Sequence, residues 1–203
     1  MKIHIYIFWF MYVWLDIPYS LIKNICAYYK SFSNRDNLKM DQDGALKIIG
    51  EQRDAGKKIG FTCSSFDLLH SGHYLMLEEA KGICDYLVVG LQTDPTLDKE
   101  YRVATGGKNK NAPIQSYEER LIQIKGCRYV DLVVKYSTEA ELVELLKAVN
   151  PDVRVIGADW KGKNYTGHEL PYPVFFNSRT HSYSTSALRK RVYDAEYERI
   201  HSS

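Results

Sequence analysis

An α/β fold built on a doubly wound parallel sheet is predicted by three features of the sequence. Short β-branched runs alternate with helix-like stretches from residue 58 to 193. Strand, helix, strand in repetition implies right-handed crossovers, so the strands run parallel and helices cover both faces of the sheet. The 203 residues, 45% hydrophobic and 26% charged, are those of an ordinary globular chain with room for one core.

The elements follow in order. The first 39 residues stand apart: "IHIYIFWFMYVWL" is a dense aromatic and aliphatic run, but Asp16 and Pro18 interrupt it short of the about 20 residues a bilayer span needs. It is not followed by the small-residue cleavage site of a signal peptide. Segment 1–39 is therefore expected to be an aromatic-rich extension outside the native fold, without stable membrane insertion. A start of translation at Met40 is favoured over a membrane-associating segment. Residues 40–57 read as a leading helix. "KIGFTC" (58–63) and "DYLVVGL" (85–91) are strand-length apolar runs with the helix "HSGHYLMLEEAKG" between them. "SYEERLIQIKG" (116–126) is a helix opened by a Ser116 and Glu119 capping box, which gives Glu119 a structural job, and "YVDLVV" (129–134) is the next strand. In "STEAELVELLKAVN", Leu142, Leu145, Leu146 and Val149 make one apolar face; Thr138 with Glu141 caps its start and Asn150-Pro151 stops it. Strands "VRVIGA" and "VFFNS" and a last helix from Ser184 complete a single domain over 58–193, with 194–203 as a tail.

Composition narrows the function. A net charge of +2 and a pI near 8.2 give no global field for a nucleic-acid partner, so any basic site is local. Cys26, Cys63, Cys84 and Cys127 are widely spaced without a CxxC pair, which fits neither a zinc knuckle nor a disulfide framework and points to reduced thiols in the cytoplasm.

In a parallel sheet, ligands bind beyond the carboxyl ends of the strands. That directs attention to the loops 64–70, 92–115, 157–172 and 178–183. The first leads into "FDLLHSGHYL" (66–75), where His70 and His73 frame Ser71 and Gly72. As a metal site it is short of ligands, since Asp67 is the one nearby candidate. As ordinary core, each histidine would be a half-buried ring with one hydrogen bond. As a phosphate site, a helix starting near Ser71 would offer free backbone N–H groups and the positive end of its dipole. Gly72 would let an anion approach the backbone, and the two imidazoles would add directional donors.

These residues resemble the HxGH signature of the nucleotidyltransferase superfamily, and "FDLLHSGH" is similar to cytidylyltransferases that activate glycerol 3-phosphate and phospho-alcohols. "DYLVVGLQTD", "SYEERLIQIKGCRYVDLVV", "VRVIGADWKGK" and "SRTHSYSTSALRKRV" look like later blocks of that family, in order, over roughly residues 58–193. The chain departs from the family pattern RT-x-G-I-S-T at Ser182, from a pair of acidic residues at Ala158, and from Gly-Thr at Ser64 and Ser65.

The resemblance implies a Rossmann-like nucleotidyltransferase in which a phosphate ester oxygen attacks the α-phosphorus of a nucleoside triphosphate and pyrophosphate leaves. His70, His73, Lys110 and Arg179 would be catalytic. Ser65, Phe66, Ser71, Gly72, Asp159, Trp160, Ser184, Thr185 and Ser186 would bind the nucleotide, with the Trp160 indole stacking on the base. Lys108 and Arg128 would serve the acceptor, Arg128 near a subunit contact, or else in a salt bridge with Asp131. Mg2+ would be held through the nucleotide phosphates, with no metal site of the protein's own, and a homodimer is expected. Transfer of CMP from CTP to glycerol 3-phosphate is the leading expectation. The alternatives are an adenylyltransferase using ATP and a sugar phosphate, such as the heptose-activating type, and a nucleotide-binding module without turnover.

Overall fold

The computed structural model describes residues 41–100 and 110–202. Segment 1–39 and Lys108 lie outside them. The leading helix α1 is Gln42–Asp54, with Asp41 as N-cap accepting from the Gly44 amide at 2.9 Å. It is followed by β1 Ile59–Ser64, α2 Ser71–Gly82, β2 Tyr86–Gln92, a 3-10 turn Pro95–Asp98 and α3 Tyr117–Lys125. Then come β3 Leu132–Tyr136, α4 Glu139–Val149, β4 Val153–Ile156, a second 3-10 turn Ala158–Trp160, β5 Val174–Phe176 and α5 Thr185–His201.

All five strands are parallel, in the order β3-β2-β1-β4-β5. The chain steps outward from β1 to β3 and then returns to the other side of β1 to lay down β4. The reversal leaves a crevice beyond the carboxyl ends of β1 and β4, the place where open α/β sheets take their ligands. The fold is thus α/β and Rossmann-like, as the sequence predicts.

Side chains alternate along each strand. Ile59, Phe61, Val88, Leu132 and Val134 face α1 and α4, where they form one cluster with Ala45, Ile49, Leu142, Leu145, Leu146 and Val149. The apolar face expected for α4 is therefore buried in full. Asn150 ends that helix in a left-handed conformation (φ 47°, ψ 61°), and Pro151 follows. Thr138 caps α4, accepting from the Glu141 amide at 3.1 Å, but the Glu141 carboxylate accepts from Ser137 N rather than from Thr138 N. On α3 the reciprocal box forms as expected: Glu119 accepts from Ser116 N at 2.7 Å and Ser116 accepts from Glu119 N at 3.2 Å.

Several boundaries move: the leading helix is shorter than 40–57 at both ends, and the strand expected over 153–158 stops at Ile156. The strand expected over 129–134 is displaced to Leu132–Tyr136, because the Asp131 carboxylate accepts from Leu87 N and Lys81, which makes a turn of the preceding residues. The strand expected through Ser178 stops at Phe176, where the Asn177 side chain turns away to accept from Ala158 N at 3.0 Å. The segment expected as a tail from 194 is helical to His201. Among the described residues, no helix is long and apolar enough to cross a membrane, and no group of three or more His, Cys, Asp and Glu side chains could hold a metal ion.

Candidate active site

The turn from β1 into α2 passes through two non-glycine residues in the left-handed region, Phe66 (φ 48°) and Leu68 (φ 49°). Such backbone costs about 1 to 3 kcal/mol per residue and persists where its surroundings over-determine it. They do here. The Phe66 side chain is buried, with its ring edge toward His73 at 5.3 Å, and Leu68 N donates to the Gln115 side chain at 2.8 Å. Between them, buried Asp67 accepts from Ile114 N (2.9 Å), Gln115 N (3.0 Å) and the Arg189 guanidinium (2.6 Å). Burial alone would raise the Asp67 pKa, but hydrogen bonds from Gln115, Arg189 and Ile114 outweigh it and hold the carboxyl below its usual range.

His70 is the N-cap of α2. Its Nδ1 accepts from Gly72 N at 3.1 Å, while His73 Nδ1 accepts from His70 N at 3.4 Å, so the two histidines form a reciprocal capping box. Their rings stack at 3.9 Å between centroids with a 22° interplanar angle. These bonds assign the tautomer: with both Nδ1 atoms accepting, the proton of each neutral ring sits on Nε2. Burial lowers the His70 pKa, helped by electrostatic interaction with His181, Arg179 and Arg191. Burial and then His70 push His73 down to about 3, with Asp67 opposing. Both rings are neutral N–H donors at neutral pH.

The capping box corrects one expectation. Gly72 N–H is taken by the His70 ring, and the amides of His73 and Tyr74 go to His70 O, so most of the first-turn N–H groups assigned to an anion are already engaged. Space over Gly72 is also filled. A Cβ there would meet His181 Cε1 at 2.8 Å, His70 Cε1 at 3.0 Å and His70 Nδ1 at 3.2 Å, so glycine makes room for two imidazoles. Ser71 is exposed at the start of the helix.

α5 begins against α2. Ser184 caps it through Ala187 N (3.2 Å), and Thr185 Oγ1 lies 3.3 Å from His70 Nε2 and 3.4 Å from Asp67 O. Two helix starts that are 115 residues apart in sequence thus meet at one point. Ser186 faces solvent. Beyond β4 and β5, Arg179 and Asp159 pair with each other, and Trp160 is 41% exposed beside them. Ser65 lies at the end of β1, its carbonyl accepting from Arg120 at 2.7 Å. Lys110 is exposed, and its charge is felt at Cys63 at the end of β1, where burial pushes the thiol pKa up.

Arg128 does not join the group. It lies in the turn that enters β3, its guanidinium 5.0 Å from the centre of the Tyr129 ring, and strand register puts Leu132 level with Val88 and Phe61. Arg128 is therefore at the amino end of the sheet, opposite His70, and a single chain does not bring it to the crevice. Asp131, its proposed ion-pair partner, is held by Lys81 and Leu87 N.

Arg120, Arg189, Arg191 and His181 carry no role that the sequence alone assigns, and Asp67 stands there only as a candidate metal ligand. Arg120 is fully buried and donates to the carbonyls of Ser65, Gln92, Thr93 and Gln115, tying the ends of β1 and β2 to α3. Arg189 had a signal: it follows Thr185 by four positions and so shares its helical face. Neutral donors ringed by cations, at two abutting helix starts, make a site suited to holding a polyanion and to stabilising charge that builds on it.

The family described as cytidylyltransferase-like matches residues 61–191. The bifunctional protein HldE of Wolinella succinogenes is 36% identical over 153 residues, covering 75% of this chain and 31% of that protein. HldE of Caulobacter vibrioides is 38% identical over 130 residues, covering 64% and 25%. HldE of Campylobacter concisus is 35% identical over 176 residues, covering 82% and 36%. The chain spans well under half the length of these curated relatives.

Proposed function

This chain belongs to the cytidylyltransferase-like family, and from that premise we propose that it is a nucleotidyltransferase that adenylylates a sugar phosphate with ATP and releases pyrophosphate. The motif blocks alone favour CTP and glycerol 3-phosphate; similarity to the HldE proteins shifts the reading to ATP and a sugar phosphate of the heptose type. What supports nucleotidyl transfer most is the neutral, stacked His70 and His73 pair at the start of α2, with the His70 Nε2 facing the start of α5.

In the reaction, an oxygen of the acceptor's phosphate forms a bond to the α-phosphorus as the bond from that phosphorus to the β-phosphate bridge breaks, and the electron pair leaves with pyrophosphate. No proton has to move on the protein. His70 and His73 donate to the α-phosphate oxygens as negative charge grows there, and because both are neutral and locked by the capping box, they do so without reorganising. Arg179 exchanges Asp159 for phosphate oxygens, Ser184, Thr185 and Ser186 receive the departing pyrophosphate, and Lys110 offsets the triphosphate charge. Trp160 and Asp159 take the base and ribose; Ser65 and Ser71 line the wall on which the nucleotide lies, and Phe66 and Gly72 support it from behind the histidine rings. Lys108 meets the acceptor. Arg128 would contribute across the contact of a homodimer. The described residues of the site offer donors and cations and no cluster of metal ligands, so an Mg2+ ion would enter with the nucleotide, where it would neutralise charge on the triphosphate.

Pyrophosphate release from ATP, CTP, GTP and UTP against a panel of sugar phosphates and glycerol 3-phosphate tests the reading. ATP with a sugar phosphate is the expected pair. Preference for CTP with glycerol 3-phosphate would restore the other assignment, and release from no pair would leave a binding module.

A further inference from the structure

The loop between β5 and α5 holds His181 between Tyr183, whose ring stacks on it at 5.2 Å and 29°, and the first turn of α2. Its Cε1 lies 2.8 Å from the point a Cβ on Gly72 would occupy, and His70 Cε1 lies 3.0 Å from the same point, so the two imidazoles flank one α-carbon. Nδ1 is bonded to Cε1 and shares that edge of the ring. It is shielded from solvent and has no hydrogen-bond partner among the described residues. A shielded ring nitrogen without a partner is destabilising until some group satisfies it. The place where it sits already gathers His70, Thr185 and the charges of Arg179 and Arg191.

We propose that His181 is a further phosphate ligand of the site, donating from Nδ1 to the β,γ end of the triphosphate, while His70 and His73 hold the α-phosphate. The RT-x-G-I-S-T pattern leaves this position unspecified, so the assignment comes from the geometry at Gly72 and not from the motif. It rests on the nucleotidyl-transfer reading given above. Tyr183 fixes the ring by stacking, which keeps the donor at the edge facing α2.

The test compares ATP and AMP binding by calorimetry on the full chain carrying His181→Phe, which keeps a stacking ring and removes the donor, and His181→Asn, whose amide restores a donor near the Nδ1 position. His181→Phe is expected to weaken ATP binding about tenfold, the scale of one lost hydrogen bond to a charged group, and to leave AMP binding unchanged. His181→Asn should recover most of the loss. ATP affinity within about twofold of wild type in His181→Phe, or equal losses for ATP and AMP, would overturn the proposal. Pyrophosphate release by the wild-type chain separates the two ideas: turnover with ATP binding indifferent to His181 removes this ligand alone. Binding of ATP that depends on His181, with no turnover on any acceptor, removes the transfer reaction and keeps the ligand.

Discussion

The two helix starts that meet at the site are built in opposite ways. α2 begins under its own side chains: His70 and His73 close the box, stack, and are kept neutral by burial. α5 begins with one serine hydroxyl as cap, has no buried residue along its length, and is tied down through Arg189 to buried Asp67. One start is pre-set from within and the other is moored from outside. The difference teaches where preorganisation lies: α2 supplies donors that need no rearrangement, whereas α5 supplies charge and hydroxyls positioned by the Arg189 contacts with Asp67 and Ala112 O and by Thr185 against Asp67 O and His70.

Cutting the mooring should have the largest effect. Asp67→Ala leaves two loop amides and a guanidinium without their acceptor and is expected to cost about 3 kcal/mol or more of unfolding free energy in denaturant titrations, together with most pyrophosphate release. A stability unchanged within about 0.5 kcal/mol would mean that α5 is held by something else. On the other side of the comparison, His73→Ala should lower kcat about a hundredfold or more, the usual effect of losing one preorganised donor. A drop of only a few-fold would reduce the histidine pair to a helix cap.

Acid sharpens the contrast further. The folded His70 and His73 pKa values lie below the unfolded value of 6.5. Above that pH both states are neutral and nothing changes; below it the unfolded chain binds protons that the folded chain refuses, so stability falls as pH drops from 6.5 toward about 3. Asp67 acts in the same sense at lower pH, since its depressed pKa lends stability above the unfolded value of 3.8 that is lost only below it. Denaturant midpoints measured from pH 7 to 4 should decline in the wild type and flatten in His73→Phe. The smallest effect belongs to the α5 cap: Ser184→Ala is expected to cost about 1 kcal/mol in the same titration, with a few-fold loss of ATP affinity.

What could be read from sequence was local. The apolar face of α4, its stop at Asn150, the Ser116 and Glu119 box and the Ser184 cap all depend on residues within a turn or two of each other. Histidine as N-cap was not legible, because its usual competitors for that position are small hydroxyl, amide and carboxylate side chains. Nor was the bond from Asp67 to Arg189, which only the assembled sheet brings into reach. Arg128 is a different case: it precedes its strand in the chain and lies at the amino end of the sheet, so only a subunit contact would bring it to a crevice. At Gly72 the sequence implies an opening toward backbone, but two rings converge on it from segments that periodicity does not connect.

The Asp67 contact with Arg189 joins positions 122 apart in sequence. Closing so long a loop is entropically unfavourable until the intervening strands have assembled. A chain still being synthesised can therefore lay down all five strands and yet have no working centre. Competence arrives with the last helix, which makes loss of activity an earlier symptom of C-terminal truncation than loss of the sheet.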